Sequence, residues 1–282
     1  MALITSHLLR VRSVYMASLL LAVGAPISQS HGQIINLVDN NSLAQVDVGT
    51  SAGMFHWQAD GQNQLVQQWF WYRVDGGPNL EQPINAISAP TFFTPDARTL
   101  YTSYNNGAYG VEIDYLLTGF SIGSGISDIQ ETITITNATA SPLTMHFFQY
   151  SDFDLGDPGN DTIKLGKNIR GLFNEATQSD PLVALTETVV TPGANHGEAA
   201  FFNQTLTKLS DGNPDNLNDN LGPVGPGDVT WALQWDMTIP AFSSKGISKD
   251  KYLHILNIPE PSTFVLAALG VVGLVLRKRR SF

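Results

Sequence analysis

Polar and apolar residues alternate with a period of two along Val229–Ile239 (VTWALQWDMTI). Val229, Trp231, Leu233, Trp235, Met237 and Ile239 point one way; Thr230, Ala232, Gln234, Asp236 and Thr238 point the other. Such alternation marks a strand with one buried face. Residues 109–117 repeat it, with Val111, Ile113, Tyr115 and Leu117 opposite Glu112 and Asp114. Stretches 129–136 and 143–150 flank a turn-rich loop ending in Pro142, which predicts a hairpin connection. Further strands are expected at 54–57, 65–74, 99–104, 183–190, 199–207 and 252–258. Gly, Pro, Asn and Asp fill the gaps, and no stretch of the body carries a 3.6-residue apolar period. The pattern predicts an all-β, two-sheet sandwich of jelly-roll or immunoglobulin-like type spanning residues 33–257 as one domain.

The two ends break this pattern. Arg10 and Arg12 precede an uncharged run, 14–27, and small and polar residues follow to Gly32. A basic start, a short apolar centre and a small-residue exit describe a secretory signal peptide over 1–32. At the other end, 263–276 (TFVLAALGVVGLVL) lacks charge and Arg277, Lys278, Arg279 and Arg280 follow. This reads as a single short transmembrane helix whose basic cluster stays on the cytoplasmic side. Before it lies Pro259-Glu260-Pro261. Two prolines around one glutamate impose extended backbone, which a processing enzyme can reach.

These three parts, in this order at the C-terminus, resemble the PEP-CTERM sorting tail, here over 258–282. The resemblance implies export by a Gram-negative bacterium that makes extracellular polysaccharide. It implies recognition of Pro259, Glu260 and Pro261 by an exosortase, an integral-membrane processing enzyme, while Arg277–Arg280 and the helix hold the precursor in the inner membrane. The released body would reach the cell surface or extracellular matrix. The tail is an address and says nothing of the chemistry of the body.

Composition narrows the rest. The chain has 282 residues and no cysteine, which excludes disulfides, thiolate metal sites and a cysteine nucleophile. Residues 13–258 hold nine basic and 24 acidic side chains, a net −15 with the bases dispersed, which argues against nucleic acid. Acidic residues concentrate in two loops. In the first, Asp152, Asp154, Asp157, Asn160 and Asp161 crowd hard oxygen donors into a turn-forming segment, a chemistry that suits Ca²⁺. The spacing is not that of an EF-hand, and solvated turn residues account for it equally. The second loop, 211–220, alternates Asp and Asn and reads as a flexible polar loop or a second cation site.

Gly119-Phe-Ser121-Ile-Gly123 fits G-x-S-x-G formally, but a turn and another strand follow where a nucleophile elbow needs a helix. Trp69, Trp71 and Arg73 share a strand face that would stack on sugar rings if exposed, although a strand buried on both faces is the simpler expectation. The six histidines form no H-E-x-x-H or H-x-H pair. The reading is therefore a non-enzymatic exported matrix protein associated with exopolysaccharide or biofilm. The alternative is a Ca²⁺-dependent, lectin-like carbohydrate-binding module.

Overall fold

The computed structural model describes residues 32–78, 80–156 and 159–256. In chain order the strands are β1 (Ile34–Asp39), β2 (Ser42–Asp47), β3 (Gly53–Ala59), β4 (Gln62–Asn63), β5 (Leu65–Val74) and β6 (Gln82–Pro83). A 3₁₀ turn, Ile84–Ala86, leads to β7 (Thr91–Asp96), β8 (Thr99–Asn105), β9 (Tyr109–Gly119), β10 (Ile126–Asn137) and β11 (Leu143–Phe153). Then come β12 (Asp161–Lys167), β13 (Phe173–Ser179), β14 (Val183–Thr191) and β15 (His196–Phe201). A five-residue helix α1 (Gln204–Lys208) precedes β16 (Val224–Gly227), β17 (Val229–Ile239) and β18 (Ser243–Ile255).

The strands form two sheets. One runs β1-β2-β3-β5-β11-β17-β15, with β4 beside β3 and β6 beside β5. The other runs β16-β12-β13-β14-β18-β10-β9-β8-β7. Pairing is antiparallel except for a brief parallel contact of β3 with β5. The two-sheet, all-β architecture expected from the alternation is thus present. The stretch read as a strand over 199–207 stops at Phe201 and turns through Asn203, at positive φ, into α1. Among the described residues no helix is long and apolar enough to cross a membrane; the apolar segments 14–27 and 263–276 lie outside the described residues.

The core lies between the sheets. Odd positions of β11 and β17 point inward, stacking Phe70 on Phe147 (5.5 Å between ring centres) and Phe153 on Trp231 (6.5 Å). Trp57, Phe147, Trp231 and Trp235 are fully buried. Burying such aromatics contributes the dominant favourable term, about 1.5–3 kcal/mol for a Phe-sized side chain. The outer face of the β11–β17 sheet is covered as well. Residues 215–220 strap across it, so Val229–Ile239 is buried on both faces over its first seven residues, not on one. Arg73 holds this strap through the Asp215 carbonyl (2.7 Å) and Asn216 (3.0 Å), and Leu217 N–H donates to Gln234 (2.9 Å).

Candidate functional site

Strand register assembles the acidic cluster. Asp152 lies on the outer face near the end of β11, opposite Thr230 of β17. Asp154 follows as the chain leaves the strand, and Asp228 occupies the single position between β16 and β17. Antiparallel pairing therefore brings the end of one strand to the start of another. One carboxylate oxygen from each of Asp152, Asp154 and Asp228 lies within 4.8 Å of the other two. Asp152 is 2% exposed.

Burial, then the negative charges of Asp154 and Asp228, push the Asp152 carboxyl up to about 7. Asp154 is also raised, by burial and then by Asp228. Asp152 Oδ1, the Tyr150 hydroxyl and the Thr230 hydroxyl are buried without a well-aligned hydrogen-bond partner. The phenol of Tyr150 is pushed far up by burial and then by the charge of Asp152, with Asp228 contributing, which places the hydroxyl against the cluster. Three hard oxygen ligands within 4.8 Å of one another, with two buried hydroxyls beside them, fit a divalent cation such as Ca²⁺.

The remaining residues expected in this site fall elsewhere. Asp161 is fully buried, but its Oδ2 accepts from Leu155 N–H (2.9 Å) and Gln178 Nε2 (2.8 Å), tying the loop back onto β13. Burial pushes its carboxyl up to about 6. Asn160 is exposed. Asp157 lies outside the described residues. Asp228 was not among the expected ligands, because only the β11–β17 register brings it to Asp152. The second acidic loop is the strap described above: Asn218 N–H donates to Glu198 (3.0 Å) and Asp219 reaches His196 (3.0 Å).

Beneath one end of the strap, imidazoles and carboxylates alternate. His146 Nδ1 lies 2.6 Å from Asp236 Oδ1, and its Nε2 3.3 Å from Asp75. His196 Nε2 lies 3.3 Å from Asp236 Oδ2, and its Nδ1 contacts Asp219. Asp236 is held below the usual carboxylate range: burial works against this, but Gln234, His146 and His196 outweigh it. The sequence reading missed this row because residues 75, 146, 196, 219 and 236 are adjacent only through the sheet and strap. The one legible signal was a His and an Asp at outward positions of strongly alternating strands.

The Ser121 motif is a hairpin turn. Gly119 packs against the Asp39 carbonyl, Gly123 has φ +82°, and Asp60 accepts from Gly123 N–H (2.7 Å) and Gly125 N–H (2.8 Å). Trp69 and Trp71 are buried, at 0% and 3% exposure, so that face is closed to sugars. Exposed aromatics occur instead at the edge of the other sheet. Phe93 (63% exposed) and Tyr101 (42%) are cross-strand partners whose rings stack with centres 6.4 Å apart. Asp114 lies opposite Tyr101, and Thr91, Ser103 and Glu112 form the next cross-strand row. With Phe92 these residues line an open groove of about 370 Å³. Burial, then Glu112, raises the Asp114 carboxyl.

The family model of the PEP-CTERM protein-sorting motif matches residues 257–280. No curated protein matches the chain in sequence. Solved structures resemble it in fold. A putative aldose 1-epimerase from Escherichia coli K12 superposes with a TM-score of 0.53 at 10% identity, covering 80% of this chain and 100% of that one. A galactose mutarotase related enzyme from Lactobacillus acidophilus gives 0.53 at 6% identity, covering 80% and 98%. The Slr1438 protein of Synechocystis sp. PCC 6803 gives 0.52 at 9%, covering 82% and 99%. The likeness is one of fold. Within the two-sheet sandwich expected from the sequence, it points to a galactose mutarotase-like arrangement, with nine strands in each sheet among the described residues.

Proposed function

We propose that this chain is an exported surface protein, sorted through its C-terminal motif, whose sandwich binds carbohydrate without turning it over. The observation that carries the binding reading is the groove of β7–β9. It offers a solvent-facing aromatic stack flanked by two carboxylates and the hydroxyls of Thr91 and Ser103. Apolar sugar faces pack on such rings, while carboxylates and hydroxyls take hydrogen bonds from sugar hydroxyls. Glu112 and Asp114, on a body of net −15, oppose anionic polymers and favour neutral glycans. The fold supports this reading, since solved neighbours of the same fold are named for sugar chemistry. The test is retardation of the purified protein in gels containing neutral glucans or galactans. Retardation lost in Phe93→Ala/Tyr101→Ala, with unchanged thermal unfolding, is the expected result; equal retardation of both proteins removes the groove from the function.

The sorting reading rests on the tail match. Exosortase would recognise Pro259-Glu260-Pro261, with the basic cluster anchoring an inner-membrane precursor before release into the polysaccharide matrix. Glu260→Ala should leave an uncut, membrane-bound precursor in fractionated cells of the exporting host; normal release would refute that role. A second reading, cation binding at Asp152, Asp154 and Asp228, is favoured by the convergence of their oxygens beside the buried Tyr150 and Thr230 hydroxyls.

A further inference from the structure

The inner face of the β10–β18 sheet holds two lysines and two glutamates where the pattern demands apolar side chains. Lys249 lies directly opposite Glu131 across the β10–β18 ladder, and Lys251 directly opposite Glu187 across β14–β18. All four side chains have zero exposure. Lys249 Nζ contacts Glu131 Oε2 and lies 3.8 Å from Glu187 Oε2; Lys251 Nζ lies 2.7 Å from Glu131 Oε1 and 3.6 Å from Glu187. The Phe70 ring of the facing sheet lies 5.0 Å from Lys249 Nζ. Gln149 Nε2 donates to Glu187 (2.8 Å).

As two ion pairs this cluster is poorly satisfied. Lys251 Nζ, Glu131 Oε1 and Glu187 Oε1 lack well-aligned partners, and buried charges left so are costly. Full burial favours the neutral forms instead. Burial, then Lys251, drives the Lys249 ammonium well below its usual range, and burial raises the Glu187 carboxyl. A neutral amine is a nucleophile, and a carboxylic acid beside it is a proton donor.

We propose that Lys249 and Glu131 condense into an amide that staples β10 to β18, with Glu187 as the proton-transfer group. The Lys249 Nζ lone pair attacks Glu131 Cδ, forming the N–C bond. Glu187 gives its proton to the departing hydroxyl as the C–O bond breaks and takes one back from the nitrogen. One water leaves, Glu187 ends as it began, and no oxidant or reductant is needed. The reaction converts one of the two buried Lys–Glu pairs into an amide, leaving Lys251 with Glu187. It also gives a covalent crosslink to a chain that has no cysteine with which to make a disulfide.

The test is mass spectrometry of the folded, purified full chain, measured after denaturation. The expected result is an intact mass lighter by one water, with Lys249 and Glu131 recovered in a single branched peptide after proteolysis. Separate, unmodified peptides containing Lys249 and Glu131 would overturn the proposal, and a branched peptide through Lys251 would overturn the assignment. Glu187→Gln should lose the branched peptide while remaining folded by circular dichroism; a crosslink of normal yield in that variant would remove Glu187 from the chemistry. Because the wild-type mass decides first, misfolding of a variant leaves the test intact.

Discussion

Replacing Asp152 by Asn tests the acidic cluster through the pH dependence of stability. Burial and two neighbouring carboxylates lift Asp152 from an ordinary value of 3.8 to about 7. Between these values the folded state holds a proton that the unfolded state has released, so stability falls as pH rises. The contribution is fully present below the unfolded value and is lost as pH passes about 7. At 1.36 kcal/mol per unit, the loss across the window is about 4 kcal/mol. A cation reverses it by compensating the charge; calcium at a hundred times its Kd adds about 2.7 kcal/mol at pH 7.5. Asp161 and Asp128 titrate in the same window, Asp128 pushed up to about 7 by burial and then Asp250. Neither belongs to the cluster, so the difference between wild type and Asp152→Asn isolates its share. The assay is urea unfolding of the purified protein from pH 4 to 8, with chelator and with calcium. Wild type should lose stability more steeply than Asp152→Asn in chelator, and calcium should restore only wild type. An equal calcium shift in both proteins, or equal pH slopes, would refute the reasoning.

Three other outcomes follow from the geometry. Tyr101→Ala alone should weaken glycan binding roughly two- to twelvefold, since one aromatic contact of about 0.5–1.5 kcal/mol is removed, while the melting temperature holds because Tyr101 is exposed. Gly53→Ala should cost about 2–5 kcal/mol in urea unfolding. Its φ is +61°, and a Cβ there would overlap the Trp69 ring and the Gln68 carbonyl, adding left-handed strain to overpacking; a loss under about 1 kcal/mol would contradict that. Asp236→Asn removes the carboxylate shared by His146 and His196. Because the folded Asp236 carboxyl is held low, wild type should lose more stability than Asp236→Asn as pH falls from 6 to 3 in urea unfolding; equal pH slopes in the two proteins would show that the row does not stabilise the carboxylate.

Alternation was legible along the longest apolar faces, though β1, β2 and the short alternating β12 went unread. Val229–Ile239 and Leu65–Val74 have the bounds their patterns predict. Phe173–Ser179 (FNEATQS) was invisible because its inward positions include Ala and Gln, and Gln178 is buried only through hydrogen bonds to Phe153 and Asp161. The N-terminal half of β18 was missed for a related reason: Ser243–Ile255 carries lysines at inward positions, which a hydrophobicity pattern reads as surface. Asp152 and Asp154 were legible as neighbours in a loop. Asp228 was not, because 74 residues and a strand pairing separate it from Asp154. The same limit hid the His146–Asp236–His196 row. Exposure of aromatics was equally unreadable, since Trp71 and Phe93 look alike in sequence and differ only in what folds over them.

The placement of the two candidate sites constrains how calcium and carbohydrate could be linked. In a lectin whose cation holds the sugar, the metal must touch ligand hydroxyls. Here the acidic cluster belongs to the β11–β17 pair of one sheet, whereas the aromatic groove lies on β7–β9 at the edge of the other. No groove residue is also a cluster residue. Coupling between the sites then has to run through stability alone. A cation that binds only the folded state raises the folded fraction, which changes binding only near the melting transition. Well below that temperature nearly all molecules are already folded, so chelation should lower the melting temperature and leave glycan retardation unchanged. Loss of retardation on chelation at low temperature would instead mean that the sugar sits at Asp152, Asp154 and Asp228, and that the groove is not its site.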